Sequence, residues 1–188
     1  MELKQIIVGR LETNCYLLRE GNQVLLVDPG AEASKILAHL HENDELVAIL
    51  LTHGHWDHTE AIAEILDYFP TKVYLHYGDI DIFRESMDVE AIIAGDYQFG
   101  PFAIKVYETP GHSEGSVLYE CGKYLFCGDT LFLEDIGRTD LHGGNYQKMR
   151  QSLSFIKTLN PSLIVLPGHE ETSTLKHELQ YNPHLKER

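Results

Sequence analysis

Thr52-His53-Gly54-His55-Trp56-Asp57-His58 follows the all-apolar run Val47 to Leu51 and precedes a stretch carrying Ile62, Ile65 and Leu66 at helical spacing. Four residues able to ligate a metal stand within six positions here. A strand as apolar as 47–51 reads as buried on both faces. In the extended residues after it, His53 and His55 are two apart and point the same way. The turn into a helix over about 57–68 then brings Asp57 and His58 round to a neighbouring point. Two groups of nitrogen and oxygen donors a few ångströms apart suit a pair of borderline metal ions. A polar strand-to-helix turn explains one such residue, with Asp57 near the helix N-terminus, but not four at this spacing.

Two such ions need more ligands than these four. Pro110-Gly111-His112-Ser113, Cys127-Gly128-Asp129-Thr130 and Pro167-Gly168-His169-Glu170 each place a donor beside an apolar strand, directly after a glycine. Glycine lets a backbone turn sharply or approach closely, and strand-end loops are where a rigid scaffold presents functional side chains. Each turn alone is common; their force is joint with the first motif.

Working outward, residues 3–8, 14–19 and 23–27 read as consecutive antiparallel strands, the last stopped by Asp28-Pro29-Gly30. A helix is expected over 31–43, a strand at 72–75, and strands at 102–107, 116–120 and 123–127. Helices over 146–159 and 172–181 flank a last strand at 163–166, and 79–87 reads as a helix inside an otherwise irregular stretch from 77 to 98. Two packed sheets with helices outside satisfy this order, as does a simple doubly wound sheet. No linker or low-complexity run divides the 188 residues, a length suited to one domain over 1–188.

Fifteen Lys and Arg against 29 Asp and Glu give a formal charge of −14. Such a surface repels phosphate backbones, so neither nucleic acid nor an anionic membrane is expected as a partner. No apolar run is long enough to span a bilayer, and no signal peptide is evident at Met1 to Gln5. Three cysteines, Cys15, Cys121 and Cys127, lack framework spacing and sit in or beside apolar runs, as core residues of a cytoplasmic protein do. His39, His41, His76, His177 and His184 read as surface or capping residues, whereas the loop position of His142 leaves its role open.

Taken together, Thr13-Asn14-Cys15-Tyr16, Asp28-Pro29-Gly30, the His53 to His58 motif, Thr109-Pro110-Gly111-His112-Ser113, Gly128-Asp129-Thr130-Leu131-Phe132 and Pro167-Gly168-His169 resemble the metallo-β-lactamase-fold hydrolases, specifically the glyoxalase II (hydroxyacylglutathione hydrolase) branch in its compact bacterial form. The resemblance implies a four-layered αββα sandwich with two divalent metal ions at one edge, zinc by preference, with iron or manganese as alternatives. It assigns His53, His55 and His112 to the first ion and Asp57, His58 and His169 to the second, with Asp129 bridging. It makes Asp57 and Asp129 the catalytic carboxylates, Asp28 an acceptor that orients a ligating histidine, and Arg138 the basic residue that holds the glutathione part of the substrate. The implied reaction is hydrolysis of an S-(2-hydroxyacyl)glutathione thioester by a water activated between the ions. A thiolate leaves readily, so no strong general acid is required.

Full-length glyoxalase II has a further helical domain for which the tail with Lys176, Lys186 and Arg188 offers no counterpart, so the chemistry is expected to carry over better than the glutathione specificity. Gly137-Arg138-Thr139-Asp140 also resembles the mononuclear-iron persulfide dioxygenases, the main alternative. A β-lactamase proper would normally carry cysteine where Asp129 stands. A non-catalytic, metal-stabilised interaction domain would instead present a closed coordination shell.

Overall fold

Strict alternation along the central strands sends neighbouring side chains to opposite faces, and this divides the apolar residues among three cores. The structure, a computed structural model, describes residues 1–85 and 87–186. Its first half runs β1 (Glu2–Val8), β2 (Thr13–Glu20), β3 (Gln23–Val27), α1 (Ala33–Leu37), β4 (Glu45–Leu50), α2 (Ile62–Tyr68), β5 (Val73–His76) and β6 (Glu90–Ile92). These strands form one six-stranded sheet in the order β1-β2-β3-β4-β5-β6. The second half runs β7 (Gly95–Phe99), β8 (Phe102–Glu108), β9 (Val117–Cys121), β10 (Tyr124–Gly128), a hairpin of β11 (Leu131–Phe132) and β12 (Asp135–Ile136), α3 (Tyr146–Ile156), β13 (Ile164–Pro167), β14 (Ser173–Thr174), α4 (Leu175–Tyr181) and α5 (Pro183–Lys186). Its main sheet has the order β14-β13-β10-β9-β8-β7.

Between the sheets, Tyr16, Leu18, Leu25, Val27 and Leu50 meet Phe102, Ile104, Val106, Tyr119 and Phe126. The alternate residues Cys15, Leu17, Val24 and Leu26 face outward onto Ile36 of α1 and Ile62 and Ile65 of α2. On the other side, Leu118, Leu125, Cys127 and Val165 pack under Met149, Leu153 and Ile156 of α3 and under Leu175 and Leu185. The layers are therefore helix, sheet, sheet, helix, as the resemblance implied, and not one doubly wound sheet.

Several boundaries differ from the sequence-based expectation. The helix expected over 31–43 is limited to Ala33–Leu37: beyond it the chain tightens, with the His39 and Leu40 amides bonding three residues back to the Ile36 and Leu37 carbonyls. The helix expected over 57–68 opens as an isolated 3-10 turn, Trp56–His58, before α2 begins. The helix over 172–181 starts at Leu175, where the Thr174 hydroxyl accepts from His177 N–H and caps it. No helix forms over 79–87 among the described residues: the chain makes a 3-10 turn at Tyr77–Asp79 and continues irregularly. Ser86 and Arg188 lie outside the described residues. The strands β6 and β7 replace what reads as loop; only Phe99 of β7 is buried, so this edge strand lacks an apolar signature.

β3 to β6 run parallel, and so do β10 and β13. β8 shares their direction, since β9 is antiparallel to both β8 and β10. The carboxyl ends of β3, β4, β5, β8, β10 and β13 thus gather at one edge, where open α/β sheets bind their ligands.

Candidate metal centre

Each donor is delivered by the first turn after one of these strands. His53, His55, Asp57 and His58 follow β4, His112 follows β8, Asp129 follows β10 and His169 follows β13. The ligand atoms of His53, His55 and His112 lie within 4.8 Å of one another, as do those of Asp57, His58 and His169, and those of His53, His58 and Asp129. His55 Nδ1 is 2.8 Å from His112 Nε2. Asp129 stands between the two triads: Oδ1 lies 3.4 Å from His58 Nε2, and Oδ2 lies 3.4 Å from His112 Nε2 and 3.5 Å from His169 Nε2. Asp57 Oδ2 is 3.3 Å from His169 Nε2. All seven predicted donors are brought together.

The far side of three rings is hydrogen-bonded and that of His58 faces a carboxylate, which orients the nitrogen each presents to the centre. His112 Nδ1 meets the Arg138 carbonyl at 2.8 Å and His169 Nδ1 the Leu11 carbonyl at 2.9 Å. His58 Nδ1 lies 3.1 Å from Asp28 Oδ2. Asp28 also accepts from the Thr52 amide and hydroxyl at 2.8 and 2.6 Å, and that hydroxyl lies 3.1 Å from His53 Nδ1. Asp28 holds a left-handed backbone (φ 51°), which Asp tolerates better than most residues, so one residue makes the turn and faces His58. Glycine is required here for space, and at Gly128 for its left-handed torsion as well (φ 46°). A Cβ at Gly168 would stand 2.2 Å from Asp129 Oδ1, and one at Gly128 2.2 Å from Thr52 Oγ1.

His53 Nε2, His58 Nε2 and Asp129 Oδ1 are buried and make no hydrogen bond. Leaving such an atom unsatisfied costs about 1–3 kcal/mol, and a cation among them supplies the missing partner. The donor set therefore fits divalent metal ions. Protonation follows position. Burial lowers the pKa of His53 and His55, with the neighbouring His58 and His112, respectively, adding to it. Burial opposes charge on His58 too, yet Asp129 and Asp28 hold it well above the ordinary value. His169 is pushed up to about 10, burial being outweighed by Asp129 and Asp57. Burial would raise Asp129, but His58 and His169 keep it well below the usual carboxylate range.

A cleft of about 750 Å³ opens over His55, Asp57, His112, Asp129 and His169. Leu11, Trp56, Phe132 and Leu141 give it apolar walls, and Arg84, Arg138 and His142 also line it. The Arg138 guanidinium forms two hydrogen bonds with Asp140, at 2.7 and 2.8 Å. Arg84 and Trp56 go unnoticed in the sequence, although Trp56 sits inside the decisive motif. Cys15 and Cys127 are fully buried, and burial pushes both thiols up, away from reactivity. His76 caps the Tyr77–Asp79 turn by accepting from Gly78 N–H.

Residues 8–169 match the family model described as the metallo-beta-lactamase superfamily. The probable metallo-hydrolase YqgX of Bacillus subtilis is 34% identical over 98% of both chains. A hydroxyacylglutathione hydrolase of Tolumonas auensis is 33% identical over 95% of this chain and 70% of its own length. Among solved structures, BLEG-1, described as a B3 metallo-beta-lactamase, superposes with a TM-score of 0.91 at 31% identity, covering 99% of this chain and 100% of that one. TTHA1623 in a di-iron-bound form gives 0.88 at 33% identity, covering 96% and 98%. With two packed sheets that carry the donor loops at one shared edge, the chain belongs to the metallo-beta-lactamase superfamily and has its mixed α/β fold.

Proposed function

We propose that the protein is a dinuclear metallohydrolase cleaving thioesters of the S-(2-hydroxyacyl)glutathione type. The observation that carries the reading is the convergence of two triads, His53–His55–His112 and Asp57–His58–His169, on one carboxylate, Asp129, beneath an open cleft. The cleft favours catalysis over a non-catalytic, metal-stabilised interaction domain, whose shell would be closed. The similarity to a hydroxyacylglutathione hydrolase supports the substrate class.

His53, His55 and His112 would hold one ion, Asp57, His58 and His169 the other, and Asp129 both. Bound there, such ions activate water and stabilise an oxyanion. The chain supplies the rest. Anchored imidazoles hold their donors in place, and the Asp57 carboxylate at the cleft floor accepts a hydrogen bond from water. Leu11, Trp56 and Phe132 offer apolar walls for the acyl group. Arg138, released from Asp140, binds a substrate carboxylate. The donor set accepts zinc, iron or manganese; we favour zinc, and the di-iron relative makes iron the competitor. A cytoplasmic location and a small-molecule partner complete the reading, in line with three unpaired, buried cysteines.

The test is hydrolysis of S-lactoylglutathione by protein of measured metal content, with and without chelator. Fast, chelator-sensitive turnover supports the reading; no turnover by metal-replete protein overturns the substrate class. The likeness to BLEG-1 favours β-lactam hydrolysis as a second reading, tested with a chromogenic cephalosporin. Oxygen uptake with glutathione persulfide would identify a dioxygenase instead.

A further inference from the structure

Asp79 is 1% exposed, yet it stands outside the seven donors. It ends the turn after β5, and its carboxylate joins two loops distant in sequence. Oδ2 accepts from Gly54 N–H at 2.9 Å and from Ser113 Oγ at 2.6 Å, and Oδ1 accepts from Gly115 N–H at 2.6 Å. Gly54 separates His53 from His55, and Ser113 follows His112. One carboxylate thus fastens both loops that carry the three histidines of one triad. Packing leaves no slack: a Cβ at Gly54 would come 2.8 Å from the Asp79 carbonyl oxygen, and one at Gly115 2.7 Å from Asp79 Cγ. The Asp57–His58–His169 triad has different anchors, Asp28 behind His58 and the Leu11 carbonyl behind His169.

We propose that Asp79 is a positioning residue that sets the affinity of the three-histidine site more than that of its neighbour. The inference rests on the dinuclear reading. Charge-assisted bonds from backbone amides to a carboxylate are among the stronger ones. Asn keeps the size of Asp but turns a donor toward one of the two amides, leaving that N–H buried without a partner. The two loops then relax relative to each other, and three imidazoles that must converge within ångströms lose their common point. Losing such outer support typically costs about 10–100-fold in metal affinity.

The experiment is a cadmium titration followed by cadmium NMR on the wild type, Asp79→Asn and Ser113→Ala, with amide exchange and melting curves in parallel. The wild type is expected to show two resonances, one per triad. Asp79→Asn should weaken cadmium binding at the three-histidine resonance about 10-fold or more, weaken the other site by several-fold less, and speed exchange at Gly54 and Gly115. Ser113→Ala should shift the same resonance by less. Equal weakening of both sites, or of neither, overturns the proposal. If Asp79→Asn does not fold, an unmoved three-histidine resonance in Ser113→Ala overturns it. A wild type that takes up no cadmium removes the dinuclear reading itself, a failure distinct from selective or unselective loss.

Discussion

Asp129 lies within 3.5 Å of nitrogens from His58, His112 and His169, which belong to different triads. On the proposed dinuclear reading, removing it deletes a donor from both sites. Asp129→Ala is therefore expected to lower metal content by elemental analysis and to cut kcat about 10³-fold, since such electrostatic stabilisation amounts to several kcal/mol. Wild-type turnover with full metal content would sink the assignment. Arg138 separates two jobs along one residue: its carbonyl anchors His112, and its side chain reaches the cleft. Arg138→Ala keeps the first and loses the second, so KM should rise while kcat holds, as when uniform binding is lost. An unchanged KM would take the guanidinium out of the substrate site. At this scale the seven donors were legible because each lies in a compact local motif. Asp79 was not: its role exists only through Gly54, Ser113 and Gly115, residues 25 to 36 positions away that no local pattern connects to it.

Among the elements, strand ends matter more than strand bodies. Gly168 follows β13 directly, where any side chain would run into Asp129 Oδ1 and the His58 ring. Gly168→Ala removes no ligand, yet its methyl group would stand 2.7 Å from His58 Cε1. It should impair metal uptake nearly as much as loss of a donor, measured by calorimetric titration. Farther away, Arg19 of β2 pairs with Asp44, whose side chain is only 3% exposed, and pins the turn between α1 and β4. Burial would raise the Asp44 pKa, but the Arg19 guanidinium lowers it below the ordinary value. A depressed folded pKa gives stability that is complete above the unfolded value, near 3.9, and is lost as pH falls through the folded one. Asp44→Asn should thus lower the urea midpoint at pH 7, and the gap to wild type should narrow as pH falls below about 4. Residues 31–43 carry a helical pattern, but the helix tightens into three-residue turns after Leu37, and Arg19 holds the His39 carbonyl beyond its end. β6 and β7 escaped notice for the opposite reason: short edge strands with few buried residues carry little periodicity.

For the whole molecule, the apolar runs alone left two packed sheets and one doubly wound sheet both open; the resemblance implied the layer order, and the structure shows it as three apolar cores. Metal removal should be felt globally, because it leaves buried donors of both sheets without partners. One ion at about 100-fold excess over its Kd stabilises by about 2.7 kcal/mol, so two independent ions give about 5 kcal/mol. For a chain of this size that corresponds to a fall in Tm of about 10–20 °C on chelation. A melting curve indifferent to chelator would mean that the centre bears no load in the fold. Among the described residues, no helix is long and apolar enough to cross a membrane.

Each triad takes donors from strands of both sheets, so neither half of the chain owns a binding site. A centre divided in this way forms only after the halves have docked, too late to speed their meeting. Ions bound there would act as a latch on a closed sandwich: they would slow the escape from the native state and leave the rate of reaching it nearly untouched.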